Sequence, residues 1–190
     1  MELEQKVREN ILHVLVESVK AIKEKDIIKL KELSNHTIHD ASTLQDEYSI
    51  SVAVIIYSIA KIFERTRYQK YKEWDFFHKN VISYLENAKK ALDTDNVVEF
   101  EHNIHSVLQS IDKLGKKFRK YVIEVINRAK ISKASRLHEH GISAGRTAEL
   151  LGINEWELME YIGETGISDV EYNTTKSEKE RLKLARGIFE

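Results

Sequence analysis

Two groups of histidines and carboxylates have a spacing that could bind a metal ion. The first group is His36, His39 and Asp40, and the second is Glu99, Glu101, His102 and His105. Residues three positions apart lie on the same side of a helix, and the spacing of Glu99 and His102 is one that supplies ligands in di-iron helical bundles. A metal-dependent enzyme is therefore one hypothesis, and it would use His36, His39, Asp40, His102 and His105.

The predicted helices turn these histidines away from the protein interior. A helix advances by about 100° per residue, so Phe100 and Ile104 mark the apolar face of one helix and His102 falls on the opposite side. His36 and His39 likewise lie away from the apolar residues of their helix. Di-iron sites need inward ligands from several helices, so we expect neither a resident metal nor another cofactor.

Other signatures of catalysis are missing from the sequence. The chain has no cysteine, which excludes disulfides, thiol catalysis and cysteine-based zinc sites. The segment from Leu114 to Lys117 lacks the preceding glycine spacing of a phosphate-binding loop. No nucleophile elbow is present, and no spacing singles out a Ser-His-Asp triad. We therefore expect that the protein is not an enzyme.

A basic helix is predicted next to the most distinctive motif of the chain. Its cationic residues are Lys113, Lys116, Lys117, Arg119, Lys120, Arg128, Lys130, Lys133 and Arg136. The acids within this stretch are Asp112 at its edge and Glu124. Such an element suits contact with nucleic-acid phosphates, which requires no base specificity. The alternative is a solvated helix face that pairs with acids elsewhere.

The motif itself spans residues 141–166, GISAGRTAELLGINEWELMEYIGETG, and indicates a helix-turn-helix. Ser143 and Asn154 are placed to cap its two helices. Ala148 lets the helices approach and Gly152 takes the turn. Ile153, Leu158 and Tyr161 have the spacing to pack back on the first helix.

The second helix of the motif is acidic, because it carries Glu155, Glu157, Glu160 and Glu164 and no lysine or arginine. Carboxylates in the first turn are stabilised by the helix dipole, but four of them oppose the approach of DNA phosphates. The candidate DNA-binding residues are Lys133, Arg136 and Arg146 for phosphates, Thr147 beside them, and Asn154 and Trp156 for base edges. A protein-binding surface is the competing interpretation.

The motif resembles the short helix-turn-helix of small archaeal and bacterial antitoxin-like proteins. The matching residues are Ile142, Ser143, Gly145, Arg146, Ala148, Glu149, Leu150, Leu151, Gly152 and Ile153. The resemblance implies DNA binding through this module and capture of a toxin-like protein by a C-terminal segment. Residues 180–190, ERLKLARGIFE, look like such a segment, and the resemblance extends over about residues 141–190. It does not include the helices that precede the motif.

The C-terminal segment is amphipathic in its own right. Its candidate partner-binding residues are Leu182, Ala185, Ile188 and Phe189. An apolar helix face of this kind fits into a groove on a partner or on a second copy of the chain. The alternative is that it packs back on its own bundle, because exposed Ile188 and Phe189 would be a liability.

The rest of the chain is predicted to be helical, since it contains no proline and only 7 glycines. Apolar residues recur at three- and four-residue steps over residues 2–24, 27–39, 44–65, 68–92, 96–114 and 116–140. Asp26 and Asp95 are expected to cap two of these helices, and residues 39–46 to form a polar turn. The third helix is apolar nearly all round, so it should be the most buried.

The predicted fold class is all-α, with an N-terminal helical bundle followed by a C-terminal helix-turn-helix. The expected divisions are residues 1–115, the basic helix and motif over 116–166, and a tail over 167–190. The formal charge of −1 argues against a uniformly basic nucleic-acid binder. We expect a cytoplasmic, thermophile-like regulator that acts as a homodimer without contacting a membrane, and that binds DNA or, alternatively, a protein.

Overall fold

A computed structural model describes residues 3–44 and 46–165 and has an all-α fold. Its helices are α1 (Gln5–Glu24), α2 (Ile27–Leu44), α3 (Glu47–Phe63), α4 (Trp74–Asp93), α5 (Val97–Gln109), α6 (Lys116–Glu139), α7 (Ala144–Leu151) and α8 (Glu155–Thr165). Short 3-10 segments cover Thr66–Lys70 and Ser110–Lys113. Within the described residues there is no strand, and no helix is long and apolar enough to cross a membrane.

α3 is the central helix of the bundle. From Ile50 to Phe63 its side chains are apolar nearly all round and almost all of them are buried. α2 packs along it, α1 packs against both α2 and α4, and α4 packs against α5. The prediction that the third helix is the most buried element is confirmed.

The predicted polar turn at residues 39–46 is wrong, because α2 continues through most of it. Ile38 and Ala41 are both buried and extend the apolar stripe of α2 by another turn. Asp46 then caps α3 by accepting a hydrogen bond from the backbone N–H of Ser49 at 2.7 Å. α3 therefore begins at Glu47, later than predicted.

The fourth and fifth helices also begin and end differently from the prediction. Tyr68 belongs to a 3-10 segment, where its fully buried ring packs against Phe118 and Tyr121, and α4 begins only at Trp74. The cap of α5 is Asn96, whose side chain accepts from the N–H of Glu99 at 3.0 Å. Asp95 instead has the left-handed φ of 59° that ends the preceding turn. Asp26 caps α2 as predicted.

The helix-turn-helix shares a hydrophobic core with the bundle. The buried residues of this second core are Ile38 and Ala41 of α2, Ile50, Ala53 and Val54 of α3, Ala129, Ala134 and Leu137 of α6, and Ile142, Leu151, Leu158 and Ile162 of the motif. A larger first core fills the space among α1, α3, α4, α5 and the first half of α6. The second core joins residues on both sides of position 115, where the sequence places a boundary.

Truncation of Leu158 should therefore destabilise the whole chain and not only the motif. Leu158 is fully buried in the second core, so we expect Leu158→Ala to lower the free energy of unfolding by about 2–5 kcal/mol. The neighbouring Met159 is exposed, and Met159→Ala should change the free energy of unfolding by less than about 0.5 kcal/mol. Urea unfolding followed by circular dichroism measures both. A separate early transition in Leu158→Ala, with the bundle unaffected, would contradict the shared core.

Candidate functional site

The helix-turn-helix forms with the caps that the sequence predicts. The hydroxyl of Ser143 accepts from the N–H of Arg146 at 3.3 Å, and the side chain of Asn154 accepts from the N–H of Trp156 at 2.9 Å. Gly152 ends α7 with a φ of 58°, a conformation that glycine adopts without a steric penalty. Asn154 therefore uses its side-chain oxygen to cap α8.

Lys133 is not on the surface where the DNA-binding prediction placed it. Only 1% of Lys133 is exposed, and its ammonium donates to Asn35 Oδ1 at 2.7 Å. The same ammonium lies 4.1 Å from the centre of the Tyr57 ring, a favourable cation–π contact. Burial, and to a smaller extent the charge of Arg136, lowers the pKa of Lys133 to about 7. In this conformation Lys133 cannot contact a phosphate.

The spacing of the buried residues in α6 indicates that Lys133 is buried. Val125, Ala129 and Leu137 are buried at steps of four and eight residues, and position 133 falls on the same stripe of α6. A lysine with a long aliphatic stem can follow such a stripe when its charged end finds a partner. The charge of Lys133 predicts a surface position, whereas the periodicity of α6 indicates the interior.

Thr147 is likewise buried, with 0% exposed. It lies one turn before Leu151 on the apolar face of α7, and its hydroxyl has no hydrogen-bond partner among the described residues. It therefore presents nothing to DNA. The DNA-binding prediction for Thr147 is corrected for the same reason as that for Lys133, because both residues follow the apolar periodicity of their helices.

The two candidate arginines are exposed, but each has a carboxylate against it. Arg136 Nη1 lies 2.8 Å from Glu139 Oε2, and Arg146 Nη1 lies 2.8 Å from Glu149 Oε2. Exposed pairs of this kind contribute only about 0.3–0.5 kcal/mol, so they do not fix the arginines. They do cancel much of the positive charge on this side of the motif.

α8 turns an acidic face with an apolar centre to solvent. Leu158 and Ile162 point into the second core, so the opposite side of the helix carries Trp156, which is 83% exposed, and Met159, which is 45% exposed. Glu157, Glu160 and Glu164 are exposed around them. From residue 139 to residue 165 the chain has six glutamates and one arginine, a formal charge of −5. We call Trp156, Glu157, Met159, Glu160 and Glu164 the α8 face.

A further carboxylate covers the beginning of α7. Both carboxylate oxygens of Glu155 lie 3.7 Å from the position that a Cβ on Gly145 would take. Gly145 is in the first turn of α7, where free backbone N–H groups favour an anion. A phosphate approaching this turn would meet Glu155. The local electrostatics of both helices thus disfavour nucleic acid.

The histidine groups from the sequence do not come together. No cluster of three or more potential metal ligands exists within residues 3–44 and 46–165. His39 instead packs against His140, with 4.8 Å between ring centres. Burial, followed by the charge of His39, lowers the pKa of His140 below its ordinary value. The contact joins α2 to the end of α6, which the sequence did not indicate.

Comparisons with protein-family models, with curated proteins and with solved structures found no match to this chain. The resemblance to antitoxin-like proteins therefore depends on ten residues of the motif alone. The predicted partner-binding residues Leu182, Ala185, Ile188 and Phe189 lie outside the residues that the structure describes. Within those residues, the α8 face combines exposed apolar side chains with concentrated charge.

Replacement of Lys133 should change how stability depends on pH. Between pH 7 and the ordinary lysine pKa of 10.5, the unfolded chain holds a proton that folded Lys133 has lost, so stability rises with pH. Lys133→Met removes this pH dependence. Asn35 lies on the surface, so water can replace the hydrogen bond that Lys133 donates to it. We expect Lys133→Met to be more stable than wild type at pH 6 by about 1–4 kcal/mol, with the difference shrinking towards pH 10.

Urea unfolding at pH 6, 7, 8, 9 and 10 measures this difference, with exposed Lys120→Met as the matched control. Contributions from other titrating groups cancel when the variant is compared with wild type. A difference that stays constant over this range would contradict a buried, easily deprotonated Lys133.

Proposed function

We propose that this protein is an interaction module that binds a basic protein partner through the α8 face. The exposed Trp156 is the observation that carries the proposal. Large exposed apolar side chains ringed by polar residues mark interaction sites, and tryptophan is enriched among residues that dominate binding energy. Met159 lies one turn along and extends the apolar centre.

The surrounding charge selects the partner. Glu157, Glu160 and Glu164 form an acidic rim, and α8 contains no lysine or arginine. Complementary charges across an interface speed association and reject partners of the same sign. A surface with lysines or arginines around an apolar cleft is therefore the expected counterpart. Gly163, where an added Cβ would meet nothing, leaves room for close approach beside Met159.

The position of α8 supports the same proposal. Leu158 and Ile162 anchor the helix in a core that also contains residues of α2 and α3. The α8 face is thus held on a rigid support, which reduces the entropy lost on binding. A toxin-like protein, the partner class implied by the resemblance, would need a basic surface to bind here. The proposed homodimer would need a different surface, because two acidic α8 faces repel each other.

DNA binding is the second candidate, and one observation favours it. Lys116, Lys117 and Lys120 are exposed in the first turns of α6, where the helix dipole disfavours cations. Arg119 nearby is paired with Asp112 at 2.8 Å. A polyanion would offset that unfavourable placement. This candidate surface uses the basic start of α6, not the second helix of the motif.

A photo-crosslinking residue at position 156 tests the proposal. With p-benzoylphenylalanine in place of Trp156, we expect a covalent adduct with a protein in cells, and we expect a basic surface at the site of attachment. Reversal of charge by Glu157→Lys together with Glu160→Lys should lower the yield at least about tenfold, since like charges across an interface cost several kcal/mol. Mass spectrometry identifies the adduct and its attachment site.

Two controls accompany this experiment. The same crosslinker at Val98, which is 77% exposed on α5, reports background, and Glu24→Lys with Glu32→Lys reverses two exposed charges elsewhere. Equal yields at positions 156 and 98 would refute the α8 face as the binding site. Duplex DNA binding that weakens steeply with salt, is lost in Lys116→Glu with Lys117→Glu and survives in Glu157→Lys would establish the second candidate in its place.

A further inference from the structure

A groove of about 680 Å³ opens between α3, α5, α6 and α7, and no residue of the α8 face lines it. Its size falls in the range of about 300–1,000 Å³ that small-molecule sites occupy. α5 packs mainly on α4 and on the adjoining 3-10 segment, so one side of α5 remains uncovered towards α3. The groove is the space left between the two hydrophobic cores.

The walls of the groove are apolar. α3 contributes Val54 and Ile55, and α5 contributes Phe100 and Ile104. All four side chains are buried and form the floor of the groove. Leu108, Ile126, Leu150 and Leu151 complete the apolar lining. An apolar ligand body can therefore exchange water for side-chain contact along the length of the groove.

Carboxylates gather at the beginning of α3 beside this apolar floor. The hydroxyl of Tyr48 donates to Glu101 Oε1 at 2.7 Å, which joins α3 to α5. The hydrogen bond to Glu101 and burial raise the pKa of Tyr48 to about 12, and the charges of Glu101 and Glu47 add to the effect. Three acids, Asp46, Glu47 and Glu101, thus line the groove close to one tyrosine.

Asp46 contributes a carboxylate that is only partly hydrogen-bonded by the described residues. Its Oδ1 caps α3, whereas its Oδ2 is buried and has no hydrogen-bond partner among the described residues. A buried carboxylate oxygen without a partner carries a desolvation cost that a cation can relieve. Lys130 and His105 also line the groove, so with a neutral histidine the lining has a net charge of −2.

Aromatic rings stand next to these acids. The rings of Tyr48 and Phe100 lie 6.1 Å apart between centres, in a tilted arrangement. Ring faces attract cations, and the attraction grows when water is excluded. An apolar floor, two rings and three carboxylates together match a ligand with an apolar body and a positive charge, and they do not match an anion.

We propose that the groove between α3 and α5 binds a hydrophobic organic cation, with the positive charge near Asp46, Glu101 and the Tyr48 ring. The apolar body lies over Val54, Ile55 and Ile104. The site is separate from the α8 face, so the two proposals stand or fall independently.

Tetraphenylphosphonium and tetraphenylborate test the proposal, because they share size and shape and differ in the sign of their charge. Titration calorimetry on the full chain should show one tetraphenylphosphonium bound, at least about tenfold more tightly than tetraphenylborate, a difference of about 1.4 kcal/mol. Asp46→Asn with Glu101→Gln should erase this preference. Both substitutions keep an acceptor, for the cap of α3 and for the Tyr48 hydroxyl respectively.

Glu32→Gln, which removes an exposed charge from α2, should leave the preference unchanged. Circular dichroism checks that each variant is folded. Equal binding of the two ions, or an unchanged preference in the double variant, would overturn the proposal.

Discussion

The second hydrophobic core is the constraint on which the arrangement of the molecule depends. Leu158 and Ile162 of α8 are buried with Ile38 of α2 and Ile50 of α3. When the apolar side of a helix is buried in a core, the opposite side of that helix faces solvent. This core therefore decides that Trp156 and the glutamates of α8 face solvent. It also sets the bundle and the motif in one packed unit, with the groove as the gap left between the two cores.

The charges of the motif oppose the approach of DNA to its second helix. A recognition helix brings its first residues to base edges between two rows of phosphates, and here those positions carry Glu155 and Glu157. Among the cations that the sequence assigns to phosphate contact, Lys133 is buried and Arg146 contacts Glu149. The fold of the motif is thus compatible with several functions, and its charges are the reason for proposing a protein partner.

Much of the fold follows from the sequence, because apolar periodicity and caps are local signals. The absence of proline and the spacing of apolar residues predict the helices, and Ser143, Asn154 and Asp26 cap as expected. Errors arise where tertiary packing extends a helix, as at Ala41, or where a polar residue lies on an apolar stripe. The sequence prediction places Lys133 and Thr147 at a DNA-binding surface, although their register in α6 and α7 indicates burial. The groove could not be predicted, since it arises from the tertiary packing that places α5 against α4 and leaves its side towards α3 open.

A measurement of the electrostatic potential at the α8 face tests most directly whether the motif presents an acidic surface to solvent. In Trp74→Phe, Trp156 is the one remaining tryptophan, and its fluorescence can be quenched by caesium or iodide at low ionic strength. With free N-acetyltryptophanamide as the reference for each ion, we expect caesium to quench Trp156 more efficiently than iodide, and salt to reduce the difference. Quenching by iodide that equals or exceeds that by caesium would mean that the face is not acidic in solution, and would contradict the account.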